Sequence, residues 1–303
     1  MKQCFRPKSF YEKNSRLITE CNAICQTFYD DGYALTLRQL FYQLVSRNRI
    51  KNTEREYKNL GVLISDARYA GLIDWDHIVD RIRVLNNDYG SHFTDPEDII
   101  NYFTERFRLD VWKDQDVRPE VWVEKDALIQ VVANICEPLG VPYIAVKAYS
   151  STSAQWAGRL RFREYIRDGA KPVILHLGDH DATGVDCSRH LKEEMELLVG
   201  SSIELRRLAL TPEQIEKYEL PPQPGKTSDP RFKSYQKEHG TSYTWELDAL
   251  NPKVLGRIIE DGIREFMDQG TYDSNLARQV RCRQQLQLVS ERWDEVQEFL
   301  IDG

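Results

Sequence analysis

The sequence has no apolar run long enough to cross a bilayer. Its opening stretch, MKQCFRPKSFYEKNSR, lacks the apolar segment of a secretory signal. Cysteines are few and scattered: there are six, and only Cys21 and Cys25 are close, four apart within a helical pattern. No CxxC pair or Cys/His cluster offers a zinc site. No Gly-x-x-x-x-Gly-Lys-Ser/Thr loop or other ATP-binding region is present, nor any internal repeat or low-complexity tract. Strong positive charge is missing too: the net charge is −7, which argues against a simple nucleic-acid coat. These absences predict reduced thiols and a cytoplasmic protein.

What is present is an ordinary globular composition, with 41% hydrophobic and 29% charged residues over 303 positions. That is enough chain for one large domain or two to three smaller ones. Charge is unevenly spread. From Arg38 to Tyr69 seven basic residues face three acidic ones, and from Ala70 to Ile100 the sign reverses. A basic helical block on a net-acidic chain can hold a polyanion locally, although a mixed solvated surface gives the same pattern.

Residues 1–95 read as helical. SRLITECNAICQTFYDDG repeats apolar residues at Leu17, Ile18, Cys21, Ile24, Cys25 and Phe28 and stops near Gly32. LTLRQLFYQLVSR follows, with Thr36 as N-cap. NTEREYKNLGVLISDARYAG gives a third helix, capped by Asn52 or Thr53 and closed by Gly71. Three such helices suit a helix-turn-helix or winged-helix module. Residues 96–118 read as a helical connector. From 119 to 220, strands (EVWVE, VPYIAVKAY, KPVILHLG, SIELRRLAL) alternate with helices, which predicts a parallel α/β sheet. Residues 221–303 open with a polar stretch, Pro221 to Gly240, expected to be exposed and mobile, and continue as helices. Leu286, Val289, Trp293, Val296 and Leu300 form a heptad-like seam, for a core-facing helix or a dimer contact.

Chemistry is expected where strands end, because ligands of open α/β sheets bind beyond the carboxyl ends. EVWVEK puts Glu124 at one such end, and VILHLGDHDATG puts Asp179 and Asp181 at another. Side chains two apart in extended chain point the same way, so the two aspartates share a side with room for Glu124. Three carboxylates suit Mg²⁺ or Mn²⁺. The bland reading makes Asp179 a helix cap and Asp181 a loop acid. His176, inside the strand, reads as a satisfied core histidine, and His180 as pointing away from the acids.

These residues resemble the Toprim domain shared by topoisomerases, bacterial primases and some nucleases. Glu124 and Asp179-x-Asp181-x-x-Gly184 match its metal-binding glutamate and Asp-x-Asp pair. Two more segments narrow the likeness to the topoisomerase VI A subunit and the related meiotic break-forming transesterase. Arg38-Gln39-Leu40-Phe41-Tyr42 resembles the winged-helix segment carrying the nucleophilic tyrosine, and WELDALNPKVL resembles a Glu-x-(Asp/Glu)-Ala-Leu segment near the C-terminal end. The resemblance covers most of the chain in the same order, although the chain is shorter than a full A subunit. The missing zinc-ribbon cysteines argue against a primase.

The resemblance implies an Mg²⁺-dependent DNA-cleaving transesterase: Tyr42 attacks a phosphodiester, Arg38 supports the charge, and Glu124, Asp179 and Asp181 bind Mg²⁺. It implies double-stranded DNA as partner, a homodimer in which one subunit's tyrosine works with the other's metal, and an ATPase or accessory partner. A nucleoid-associated location follows. Arg47, Arg49, Lys51, Arg55 and Lys58, around the second helix turn, are the candidate DNA contacts. Ser150, Ser151 and Thr152 either bind phosphate at a helix N-terminus or cap it. Tyr42 also fits plain core packing beside Phe41, and Tyr33, Tyr57 and Tyr69 are weaker nucleophile candidates. Two rival readings remain: a Toprim nuclease in which water attacks, and a non-cleaving DNA-binding adaptor.

Overall fold

A computed structural model of the chain describes residues 2, 4–74, 76–78, 93–146 and 152–302. Four parallel strands form the central sheet, in the order β2-β1-β3-β4: β1 (Val117–Val123), β2 (Tyr143–Ala145), β3 (Lys171–Leu177) and β4 (Glu204–Ala209). Helices lie at both ends of the chain and between the strands. The chain is thus mixed α/β, as the alternating pattern predicts.

Alternation along the strands sorts the core into two faces. Val121 and Val123 of β1 and Val173, Leu175 and Leu177 of β3 join a large buried cluster with α5 (Ile129–Leu139) and α10 (Pro252–Arg264). Trp122 and Ile174 point the other way, onto α6 (Thr152–Arg167) and α7 (Ala182–Val199), where they meet Phe162, Leu191 and Met195. Helices therefore cover both faces, as a buried parallel sheet requires. The helix after β1 goes to one face and the helix after β3 to the other. Strand order reverses between β1 and β3, which makes their shared carboxyl end the crevice of the sheet.

The first three helices form as their patterns predict: α1 (Glu12–Asp30), α2 (Leu37–Ser46) and α3 (Glu54–Tyr69). Thr36 caps α2 in a reciprocal capping box with Gln39, and Thr53 caps α3. Gly71 takes a φ of +72° just past α3, a conformation open to glycine at little cost. These helices share one continuous buried cluster with the sheet, including Ile24, Phe28, Leu40, Leu44 and Ile64. The part of the N-terminal expectation that falls on residues 79–92 lies outside the described residues, as does the end of the second predicted strand.

Two expectations need correction. The stretch from Pro221 to Gly240 is exposed over much of its length, but it is not all loop: it holds the two-residue strand β5 (Gln223–Pro224) and α9 (Phe232–His239). Phe232 and Tyr235 of α9 are 5% and 3% exposed, against α7 and the Asp-x-Asp turn. The heptad seam is not continuous. It divides at Arg292 between α11 (Gln269–Glu291) and α12 (Trp293–Asp302), and Val289 and Leu300 are exposed. Polar contacts hold α11 instead to the connector, in which α4 (Pro96–Arg106) is helical. Gln279 accepts from the Leu109 amide, and Ser290 donates to Asn101.

Candidate active site at the carboxyl ends of β1 and β3

Val123 pairs with Leu177 in register, so the next residues, Glu124 and Gly178, leave the sheet side by side. The Glu124 amide donates to the Leu177 carbonyl, and Glu124 Oε2 accepts from the Asp179 amide at 3.1 Å. A methyl group on Gly178 would stand 2.8 Å from Glu124 Oε2. One on Gly184 would stand 2.3 Å from the Asp179 carbonyl oxygen and 3.1 Å from Glu124 Oε2. Both glycines of GDHDATG thus make room for the carboxylate and for the turn beneath it.

The two aspartates divide their tasks. Asp179 Oδ1 accepts from the Leu247 amide at 2.7 Å and pairs with Lys125 Nζ at 2.9 Å. Asp181, not Asp179, caps α7, taking the Gly184 amide at 2.7 Å on Oδ1. Between them His180 turns away, as expected. Its Nδ1 lies 2.9 Å from the Tyr235 hydroxyl, and its backbone forms a two-way bridge with Trp245. His176 is a buried core histidine, with Nδ1 2.9 Å from the Ser188 hydroxyl. Burial, then Arg207, pushes it down to about 3. Burial, then His239 and Arg207, takes His180 down to about 4.

Burial pushes Glu124 up to about 7, helped by the charges of Asp179 and Asp181. Burial also raises Asp179, against the pull of Lys125. Burial first, with neighbouring carboxylates adding to it, disfavours the ionised forms here. Hard oxygen donors of this kind fit Mg²⁺ or Mn²⁺ in chemistry. They do not form a finished ligand shell: no group of three or more His, Cys, Asp or Glu side chains gathers in metal-holding geometry among the described residues.

Four charged residues missing from the candidate site residues complete the site: Lys125, Glu246, Asp248 and Arg207. Lys125 Nζ touches Asp179, Asp248 at 3.0 Å and Glu246 at 3.2 Å. Burial works against its charge, but these three carboxylates outweigh it and hold the ammonium above its ordinary pKa. Glu246 Oε2 also accepts from Arg38 Nη1 at 2.9 Å. Burial opposes ionisation of Glu246, yet Lys125 and Arg38 hold it below the usual carboxylate range. The signal was in the sequence: Lys125 follows Glu124 directly, and Glu246 and Asp248 are the acids of WELDAL. Arg207, on β4, clamps the turn from below by donating to the carbonyls of Gly178, Asp179 and Gly184.

Tyr42 lies in the core beside this network, 2% exposed. Its hydroxyl accepts a hydrogen bond from Gln223 Nε2 of β5 and lies in the field of Glu246. Arg38 lies one turn away, as expected, but its charge is committed to Glu246 and its guanidinium stands 5.3 Å over the Tyr57 ring. Burial, then Glu246, raises Tyr42 above its ordinary value, outweighing Arg38 and Lys125. Arg38 does pull the phenol down, but burial and Glu246 outweigh it.

The basic candidates differ from one another. Arg49 pairs with Glu20 at 2.6 Å, Lys58 with Glu54 at 2.8 Å, and Arg47 bonds Gln43 of its own helix. Lys51 and Arg55 are exposed and form no ion pair among the described residues. Ser150 and Ser151 lie outside the described residues, as does the side chain of Thr152. A cleft of about 1110 Å³ opens between α1 and α3, lined by both signs of charge and by none of the site's carboxylates. No helix among the described residues is long and apolar enough to cross a membrane. Compared with family models, curated proteins and solved structures, the chain matches none of them.

Proposed function

We propose that this chain is an Mg²⁺-dependent DNA-cleaving transesterase of the topoisomerase VI A type, acting as a homodimer on double-stranded DNA with an ATPase or accessory partner. The observation that carries the reading is the meeting of Glu124 and the Asp179 turn at the crevice of the sheet, linked through Lys125 and Glu246 to Arg38 on the helix that carries Tyr42. Glu124, Asp179 and Asp181 are the residues to hold Mg²⁺ or Mn²⁺, which supplies charge neutralisation at a phosphodiester. Tyr42 is the nucleophile, and its hydroxyl must leave Gln223 and lose its proton before it attacks. Arg38, on the same helix, is the cation for the scissile phosphate, once free of Glu246. Lys51 and Arg55 are the best placed of the basic candidates for phosphate contacts.

A second reading has its own support. Tyr42 is buried with its oxygen already bonded, which favours hydrolysis by a Toprim nuclease whose tyrosine is structural. A non-cleaving DNA-binding adaptor is the third.

The test uses supercoiled plasmid, Mg²⁺ or Mn²⁺, a detergent stop, and gels run with and without protease. Tyr42→Phe removes only a hydroxyl, so the fold is expected to lose about 1 kcal/mol and survive. Nicked or linear DNA carrying protein, lost in both Tyr42→Phe and Asp179→Ala, supports the transesterase. Cutting that survives Tyr42→Phe but not Asp179→Ala assigns hydrolysis. Tight DNA binding with no cutting in any sample, partner added, assigns the adaptor.

A further inference from the structure

Three carboxylates from two distant segments of the chain meet at one atom. Asp179 Oδ1, Asp248 Oδ2 and Glu246 Oε2 lie 2.9, 3.0 and 3.2 Å from Lys125 Nζ. An ammonium has three protons, so each carboxylate takes one and the lysine is saturated. The cage is not. The Asp248 side chain is 1% exposed, and its second oxygen, Oδ1, has no hydrogen-bond partner among the described residues. A buried carboxylate normally has both oxygens satisfied.

Charge counting points the same way. Glu124, Asp179, Asp181, Glu246 and Asp248 bring five carboxylates together. The cations acting on them are Lys125, Arg38 and Arg207. With all five ionised the cluster is short by two positive charges, the charge of one divalent cation. The oxygens stand at ammonium distance, whereas Mg²⁺ draws oxygen ligands to about 2.1 Å. A metal bound at Asp179 must therefore pull that carboxylate off the lysine.

We propose that the cage of Asp179, Glu246 and Asp248 is a cation site whose resident is the ammonium of Lys125, and that a divalent cation competes with Lys125 for Asp179. Lys125 then sets metal affinity, by holding a ligand that the metal needs. Because Glu246 also binds Arg38, the exchange is felt on the helix that carries Tyr42. This inference rests on the metal reading of Glu124, Asp179 and Asp181, and its test keeps the two apart.

Mn²⁺ binding to the full chain is followed by the electron paramagnetic resonance of free Mn²⁺, without DNA. Wild type is compared with Lys125→Met, Lys125→Arg and Glu124→Ala, and with Lys125→Met combined with Glu124→Ala. Lys125→Met is expected to bind Mn²⁺ at least tenfold more tightly than wild type, and Lys125→Arg no more tightly. A purely structural lysine gives the opposite, since its loss loosens the site. Lys125→Gln keeps two of the three donors without the charge, and carries the test where Lys125→Met does not fold. Unchanged or weaker binding in the neutral variants overturns the proposal. Binding lost in Glu124→Ala with no gain in Lys125→Met overturns the competition but leaves the metal reading standing. A gain that survives Glu124→Ala supports the cage and removes Glu124 from the metal reading. No Mn²⁺ binding in wild type or the neutral variants overturns both.

Discussion

Arg38 on α2 and Glu246, 208 residues later, form an ion pair of 2.9 Å that ties the candidate nucleophile helix to the acidic end of the sheet. Glu246 also serves Lys125, so one carboxylate bridges two cations. Glu246→Ala leaves Arg38 without its carboxylate, while Lys125 keeps Asp179 and Asp248. Breaking a fully buried pair costs about 3–5 kcal/mol. The side chains of Arg38 and Glu246 are 43% and 21% exposed, so solvent screens part of that. The expected loss is about 1–3 kcal/mol, read from urea unfolding. Glu246→Gln is expected to lose less, because it keeps one acceptor.

The core histidines make the fold sensitive to acid. His176 is pushed from 6.5 down to about 3 by burial, with Arg207 adding to it. A depressed pKa means the folded state favours the neutral ring. Its contribution is therefore full above pH 6.5 and is lost as pH falls from there toward 3. The full loss amounts to several kcal/mol, at about 1.4 kcal/mol per pH unit. His180, pushed down to about 4, adds a loss of the same sign. Unfolding free energies of wild type and His176→Gln, measured from pH 8 to pH 4, are expected to converge as pH falls. Parallel curves would remove His176 as the cause.

Two glycine substitutions separate stability from site chemistry. In Gly184→Ala the new methyl group falls 2.3 Å from the Asp179 carbonyl oxygen, which is backbone and is held by Arg207. The turn must move, at an expected cost of about 1–3 kcal/mol. In Gly178→Ala the nearest atom is Glu124 Oε2 at 2.8 Å, the end of a side chain. That carboxylate can swing aside, so the expected outcome is a smaller stability loss with weaker Mn²⁺ binding. Thermal melts with a Mn²⁺ titration on both variants check the division.

Most of the sheet was legible in the sequence, because strand ends marked by Glu124 and Gly178 are local features of composition and alternation. So were α1 to α3, whose apolar stripes and caps depend on residues within one or two turns. The cage was not. Lys125 and Asp248 are 123 positions apart and meet only because β1 and the Trp245 bridge bring their segments to one crevice. Nothing local distinguishes Lys125 from a solvated lysine. The stretch from Pro221 to Gly240 misled for the converse reason. Its proline, glycine and lysine content suggests a loop, while the anchoring falls to Phe232 and Tyr235, three apart on a short helix that a window average dilutes. Tyr42 was placed on the right helix, but its burial and its bond to Gln223 depend on a strand 181 positions away.

The basic residues around the α2–α3 turn offer the sharpest check on DNA as partner. A lysine or arginine that contacts phosphate releases counterions, and each contact adds about 0.9 to the slope of log affinity against log salt. A residue already paired with a carboxylate must first give up that partner, so it adds less. Arg49 and Lys58 are paired with Glu20 and Glu54, while Lys51 and Arg55 are exposed and outside any ion pair among the described residues. Replacing Lys51 and Arg55 together by alanine is therefore expected to lower the salt slope by about 2 and weaken binding equally across DNA sequences. Arg49→Ala is expected to change the slope by less than about 0.5, since Glu20 already offsets its charge. Fluorescence anisotropy on a labelled duplex, in Ca²⁺ to avoid cutting and over a range of KCl, gives both slopes. Equal slopes for wild type and the double variant would move the DNA surface off this turn. A larger effect from Arg49 than from the exposed pair would mean that the Glu20 contact opens when DNA binds.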